Sequence, residues 1–278
     1  MMTQPPPAPA KTKRNRLIQI ASGKGGVGKT WLSITLADAL ASRQRKVLLF
    51  DGDLGLANVD VQLGLSPRHD LGSVIAGRVK LSQAIASYAP ETVSGSLAGR
   101  FDVLAGKSGS GVLSALTRPE ILGLQRGLLA LSDSYDHVIV DLAAGLDQGV
   151  MTLCAPGSTT IVVVNDEPTS LTDAYAFIKL LTQQEPGADI CVVINMASDK
   201  DQARRTFSAL ANACRNFLSM EPVLLGFVPR DDLVRDSIRH QTPILFRHPQ
   251  SKSGESVKQI AGVLLKKSQE IEGLAAIS

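Results

Sequence analysis

Gly23-Lys24-Gly25-Gly26-Val27-Gly28-Lys29-Thr30 follows the apolar run Leu17 to Ala21 and precedes apolar residues at helical spacing, Leu32, Leu36, Ala39 and Leu40. A strand, a glycine-rich loop and a helix in that order are the setting a phosphate-binding loop requires. The glycines let the backbone turn tightly enough for successive N–H groups to point inward, and the positive end of the following helix adds to their field. The stretch can therefore hold a polyphosphate, with Lys29 reaching the outer phosphates and the Thr30 hydroxyl binding Mg²⁺. Out of context the same residues are only a glycine turn; the flanking strand and helix favour the ligand.

Downstream, Val47-Leu48-Leu49-Phe50 is an apolar run of the buried-strand type that ends in Asp51-Gly52-Asp53. In open parallel sheets ligands bind beyond the carboxyl ends of the strands, so Asp51 and Asp53 are both expected to converge on the phosphates and their metal. The competing role for either is to cap the next helix, and Asp60 is read as a cap or a subunit contact. His137-Val138-Ile139-Val140-Asp141 is a second apolar strand ending in an acid. This is the Walker B pattern, whose carboxylate orders Mg²⁺ and its waters, while Gly145 can offer its N–H to a γ-phosphate. Any one of these signals is weak, but their order along the chain is a far rarer coincidence.

Further strand-like runs, Phe101 to Leu104, Thr159 to Val164, Ile190 to Asn195 and Val223 to Val228, alternate with helical patterns from Pro119, around Leu171 to Leu181 and around Ala203 to Leu218. Such alternation implies right-handed crossovers and an α/β fold, a doubly wound, mainly parallel sheet with helices on both faces. Near-continuous Val and Ile runs agree with burial on both sides. Residues 66 to 100 read as small helices, loops or an edge without chemistry, and the glycine–serine stretch from Ala105 to Gly111 as a connector or a contact loop. Asn195, at the end of a strand, suits either a turn or the two-faced hydrogen-bonding edge of adenine.

The second lysine of the loop, Lys24, directly after Gly23, makes this form resemble the deviant Walker A motif of the MinD/ParA ATPases of the SIMIBI class. Three segments resemble the flagellar-number branch of that family, FlhG/FleN: Asp51 to Asp60, Asn165 to Ala174, and Val193 to Met196. The resemblance spans Leu17 to about Leu265. It implies a P-loop NTPase fold, ATP and Mg²⁺ as cofactors, slow hydrolysis and an ATP-dependent homodimer. It further implies that Lys24 reaches the partner's phosphates, that Asp53 positions the attacking water, and that Thr30, Asp53 and Asp141 attend the metal. Asn195 would read the base, framed by Pro229 and Asp231, although Arg230 stands where the family's Pro-Glu-Asp-like segment has an acid. Expected partners are the signal-recognition-type GTPase FlhF, a motor-switch protein or a flagellar transcriptional activator, with the helix from Pro168 to Leu181, outside the phosphate site, as their surface. Division-site selection and DNA or cargo partition are the sister roles; Arg204-Arg205 with Arg215, and Arg235 with Arg239, are a thin basis for direct DNA binding. Two features depart from the branch: no Asp-Gln-Ala motif lies in residues 1 to 16, and Trp31 follows Thr30.

Composition sets outer bounds. The chain has 278 residues, 44% of them hydrophobic, enough for one large α/β domain over 17–278. Residues 1–16 hold Pro5, Pro6, Pro7 and Pro9, then Lys11, Lys13, Arg14 and Arg16, too little apolar surface to offset ordering, and read as a disordered basic arm. Those four cations account for the net charge of +3; the body carries 25 basic against 26 acidic groups, no general footprint for nucleic acid. Cys154, Cys191 and Cys214 lack paired spacing and suit a reducing cytoplasm. They also argue against the family's iron–sulfur branches, which need a cysteine before Asp141 or a Cys-x-x-Cys pair. Val257, Ile260, Ala261, Leu264 and Leu265 mark one stripe of the last helix for core packing, interrupted by Lys266-Lys267 before Ile271 and Leu274; a peripheral, reversible membrane contact through Lys258, Lys266 and Lys267 is the alternative.

Overall fold

The computed structural model describes residues 16–89, 99–106 and 116–277, with side chains described as far as 269. The arm before Arg16, most of the glycine–serine stretch, and the side chains of Ile271 and Leu274 lie outside the described residues. Eight strands form one sheet: β1 (Leu17–Ser22), β2 (Val47–Gly52), β3 (Ala86–Tyr88), β4 (Phe101–Leu104), β5 (His137–Ala144), β6 (Thr159–Val164), β7 (Asp189–Ala197) and β8 (Val223–Pro229), in the order β3-β4-β2-β5-β1-β6-β7-β8. Every pairing is parallel except that of β3 with β4, a short antiparallel edge inside the stretch read from sequence as loops or an edge.

The strands are apolar at nearly every position because both faces are covered. Leu48, Phe50, Val138, Val140 and Val162 point into one core, while Leu49, Ile139, Ile161 and Val163 point into the other. The first core lies under α4 (Arg118–Ser132), α5 (Gln148–Leu153), α6 (Pro168–Gln184) and α7 (Lys200–Leu218). The second lies under α1 (Lys29–Ala41) and α10 (Lys252–Ile277). Burying one Leu or Ile side chain contributes about 1.5–3 kcal/mol, so the pattern itself selects a two-layered sheet over an exposed one. α1 is buried around its whole circumference, since β1, β2 and β5 lie beneath it and α10 beside it.

One local expectation changes. Arg16, read as the last residue of a loose arm, donates from Nη1 to the carbonyls of Ser132, Asp133 and Tyr135 and so caps the end of α4. Helix C-termini attract such a cation because their last carbonyls lack partners. Lys267, for which a lipid headgroup was the alternative, pairs with Asp189 at 2.5 Å, and Lys258 with Glu255 at 3.5 Å. All three cysteines are buried and free. Among the described residues no helix is long and apolar enough to cross a membrane.

Candidate nucleotide site

The loops after β1, β2, β5, β7 and β8 meet at the carboxyl edge of the sheet around a cavity of about 650 Å³. Gly25, Gly26, Gly28, Lys29, Thr30 and Asp53 line one side, and Asn195, Met196, Pro229 and Arg230 line another. Gly26 and Gly28 have φ of 79° and 91°, conformations that a side chain resists. At Gly28 a Cβ would also lie 2.4 Å from Asn195 Nδ2, and at Gly23 it would lie 2.3 Å from the Asp173 backbone on α6. The loop is thus a bare backbone cradle at the N-terminus of α1, which fits a polyphosphate.

Lys29 is buried and donates to Ser22 Oγ at 2.9 Å. Burial lowers its pKa, against the opposing pull of Asp141 and Asp53. A buried ammonium with a neutral hydroxyl partner is suited to gain an anion. Asp141 is fully buried, accepts from Ser33 Oγ at 2.9 Å and from the Thr30 side chain, and burial raises its pKa to about 6. Thr30 and Asp141 are therefore adjacent, as a shared metal would need. No cluster of three or more His, Cys, Asp or Glu among the described residues is arranged to hold a metal ion. One hydroxyl and one or two carboxylates nevertheless fit Mg²⁺, which takes most of its ligands from phosphates and water.

The two switch acids separate in role. Asp53 lines the cavity and uses one oxygen to accept the N–H groups of Gly55 (3.3 Å) and Leu56 (2.8 Å). Asp51, expected to join it at the phosphates, does not: its carboxylate accepts the N–H groups of Asp53, Asn58 and Val59. It is a buried brace at the start of α2 (Val59–Leu63), its pKa pushed up to about 8 by burial and then by Asp141. The capping alternative holds for Asp51.

Other expected contacts are also engaged elsewhere. The Gly145 N–H goes to the Ser22 carbonyl at 3.0 Å, because the β1–β5 pairing runs on to Ala144. Asp231 lines the cavity and also ties the β8 loop to α10: one oxygen accepts the Leu233 N–H and the other accepts from Ser251 and Ser253, which leaves a lone pair on the first. Asn195 donates Nδ2 to the Val27 carbonyl at 2.7 Å and accepts from Met196 N, which leaves one N–H and one lone pair facing other uses. Lys24 turns away from the cavity to Glu167 and Thr169, at the first turn of α6. α6 therefore touches the loop it was expected to stand clear of. Glu167, with its pKa lowered by that contact, and Ser22 and Ser33 were not singled out by sequence reasoning. Ser33 had a signal, one turn after Lys29 on the same helix face.

A glycine cradle between β1 and α1, a buried lysine and a strand-end acid define a P-loop nucleotide-binding protein. The chain belongs to the CobQ/CobB/MinD/ParA nucleotide binding domain family, whose signature matches residues 18–244. It is 37% identical over 246 residues to the antiactivator FleN of Pseudomonas aeruginosa, covering 88% of this chain and 85% of that one. It is 29% identical to the flagellum site-determining protein YlxH of Helicobacter pylori, covering 91% and 82%. Among solved structures, the septum site-determining protein MinD of Pyrococcus horikoshii, complexed with Mg-ADP, superposes with a TM-score of 0.73 at 27% identity, covering 95% of this chain and 98% of that one.

Proposed function

We propose that this chain is a cytoplasmic ATP-dependent switch, carried on one ATPase domain over 17–278, that dimerises with ATP, hydrolyses it slowly and sets flagellar number or placement. The observation that carries the biological half is the likeness to FleN along most of both chains. The chemical half rests on Lys29, Thr30, Asp53 and Asp141 around one cavity.

In this reading Lys29 holds the outer phosphates and Thr30 with Asp141 holds the metal. Bound Mg²⁺ supplies neutralisation of charge on the phosphoryl group being transferred. Asp53, at the cavity wall, orients the attacking water. Lys24 leaves Glu167 and Thr169 to meet the phosphates of a second copy, and that added contact is what lets ATP favour the dimer over the monomer. Asn195 serves the base through its remaining N–H and lone pair. FlhF, a motor-switch protein or a flagellar transcriptional activator would then read the dimer.

Deleting the gene and counting flagella per cell tests the assignment. Altered number or position supports it. Unchanged flagella with minicells or lost plasmids would move the protein to division or partition and leave the switch chemistry standing.

A further inference from the structure

Gln241 follows α8 (Asp232–Arg239) with φ of 52°, in the left-handed region that non-glycine residues enter only at a cost. Its backbone N–H donates to Ile238, and its side-chain Nε2 donates to the Val61 carbonyl of α2 at 2.8 Å. Gly64, which ends α2, is also left-handed, and a Cβ there would come within 3.2 Å of Gln241 Oε1. The chain thus keeps a strained residue at this corner, and that residue's side chain lies across the end of α2.

Both elements joined by this contact reach the cavity. α8 lends Val234, Arg235 and Ile238 to the wall beside Arg230. α2 is held at its other end by Asp51, whose carboxylate also takes the Asp53 N–H. A mechanical loop therefore runs from the base side of the cavity through α8, Gln241, α2 and Asp51 to Asp53.

We propose that Gln241 is a positioning residue that transmits occupancy of the base side of the cavity to α2, and through it to the Asp53 segment. The inference rests on the nucleotide reading of the site. A ligand that engages only the glycine loop has no differential contact with α8 and cannot bias α2, whereas a ligand that also seats a base does. Gln241 adds a polar link to the direct packing of α8 on α2, its left-handed backbone set by the end of α8 and its amide by α2.

Hydrogen–deuterium exchange on the full chain tests this with two probes, Mg-ADP and Mg-pyrophosphate. In the unsubstituted chain both are expected to slow exchange over residues 23–33, and only Mg-ADP over 58–65. In Gln241→Gly, Mg-ADP should still protect 23–33 but should no longer slow 58–65 relative to the same variant without ligand, leaving that segment about fivefold faster than in the unsubstituted complex, the size of one lost side-chain hydrogen bond. Gln241→Asn, which tolerates the left-handed backbone but is too short to reach Val61, should behave like the glycine variant and so separate the latch from relief of strain. Undiminished protection of 58–65 in both variants, or equal protection of that segment by pyrophosphate, overturns the proposal while the nucleotide site stands. If Mg-ADP protects neither segment in the unsubstituted chain, the nucleotide reading fails and the latch falls with it.

Discussion

Lys24 and Lys29 belong to one loop yet answer to different partners, Lys29 to Ser22 in the buried cradle and Lys24 to Glu167 and Thr169 on α6. Their alanine variants should therefore fail differently. Lys29→Ala removes the buried cation that would pair with phosphate, a loss of about 2–5 kcal/mol, and should abolish nucleotide binding in calorimetry. Lys24→Ala should bind ATP almost normally but stay monomeric in light scattering; equal loss of affinity in both variants would refute a role for Lys24 in trans. A separate residue sets a pH dependence. Asp38 is buried on α1, one of its oxygens has no partner among the described residues, and burial raises its pKa to about 6 from 3.8. A raised carboxyl pKa means that the folded state binds the proton more tightly, so the stability is present below pH 3.8 and is lost as pH climbs through about 6. Asp38→Asn should thus raise the melting temperature at pH 8, by the equivalent of about 1–3 kcal/mol, and change little near pH 4. A variant that melts lower at pH 8 would show that the charged form is wanted.

At the scale of elements, α10 follows the core-docking reading of its apolar stripe, which stood ahead of the membrane one. Val257, Ile260, Ala261 and Leu264 are buried against the sheet, and Gly226 of β8 brings the helix so close that a Cβ there would meet Ile260 Cγ1 at 3.0 Å. Lys267, apparently an interruption of the apolar stripe, completes the docking through Asp189. Ile260→Ala should cost about 2–4 kcal/mol by leaving a cavity at this contact. Chemical denaturation measures it, and a loss under 1 kcal/mol would mean that the helix is seated elsewhere. The α6 pattern was read as a partner surface, with structural packing of Leu171, Ala174, Phe177 and Ile178 as the alternative; the last three are buried, Leu171 is half-buried, and the first turn is spent on Lys24.

For the whole molecule, hydrolysis and assembly should separate at Asp53. Asp53→Ala leaves Lys29, Thr30 and Asp141 in place, so the ATP complex should accumulate as a dimer that does not turn over. Size-exclusion chromatography with ATP, beside a phosphate-release assay, reads both; a monomer, or release at the unsubstituted rate, would make Asp53 a cap for Gly55 and Leu56 and nothing more. Residue chemistry alone did not separate Asp51 from Asp53 along the chain; the family resemblance singled out Asp53, and the fold then assigned Asp51 to the start of α2.

The strand runs, the crossover helices and the glycine loop were legible because their causes are local: apolar periodicity, the freedom of glycine at positive φ, and a strand that must end where its acids begin. Those same local causes put Lys29, Thr30, Asp53 and Asp141 at one edge before any coordinates. The occupation of each polar group was not legible, because a carboxylate or amide is claimed by whichever donor the fold brings within hydrogen-bond reach. Asp51 went to the start of α2, a few residues on, while Asp231 went to Ser251 and Ser253, Lys24 to Glu167 and Lys267 to Asp189, pairings set by distances between segments far apart in the chain. Sequence determined which residues gather at the edge, and only the tertiary structure decided which of them have lone pairs and protons left for a ligand, since burial leaves almost no polar group unpaired.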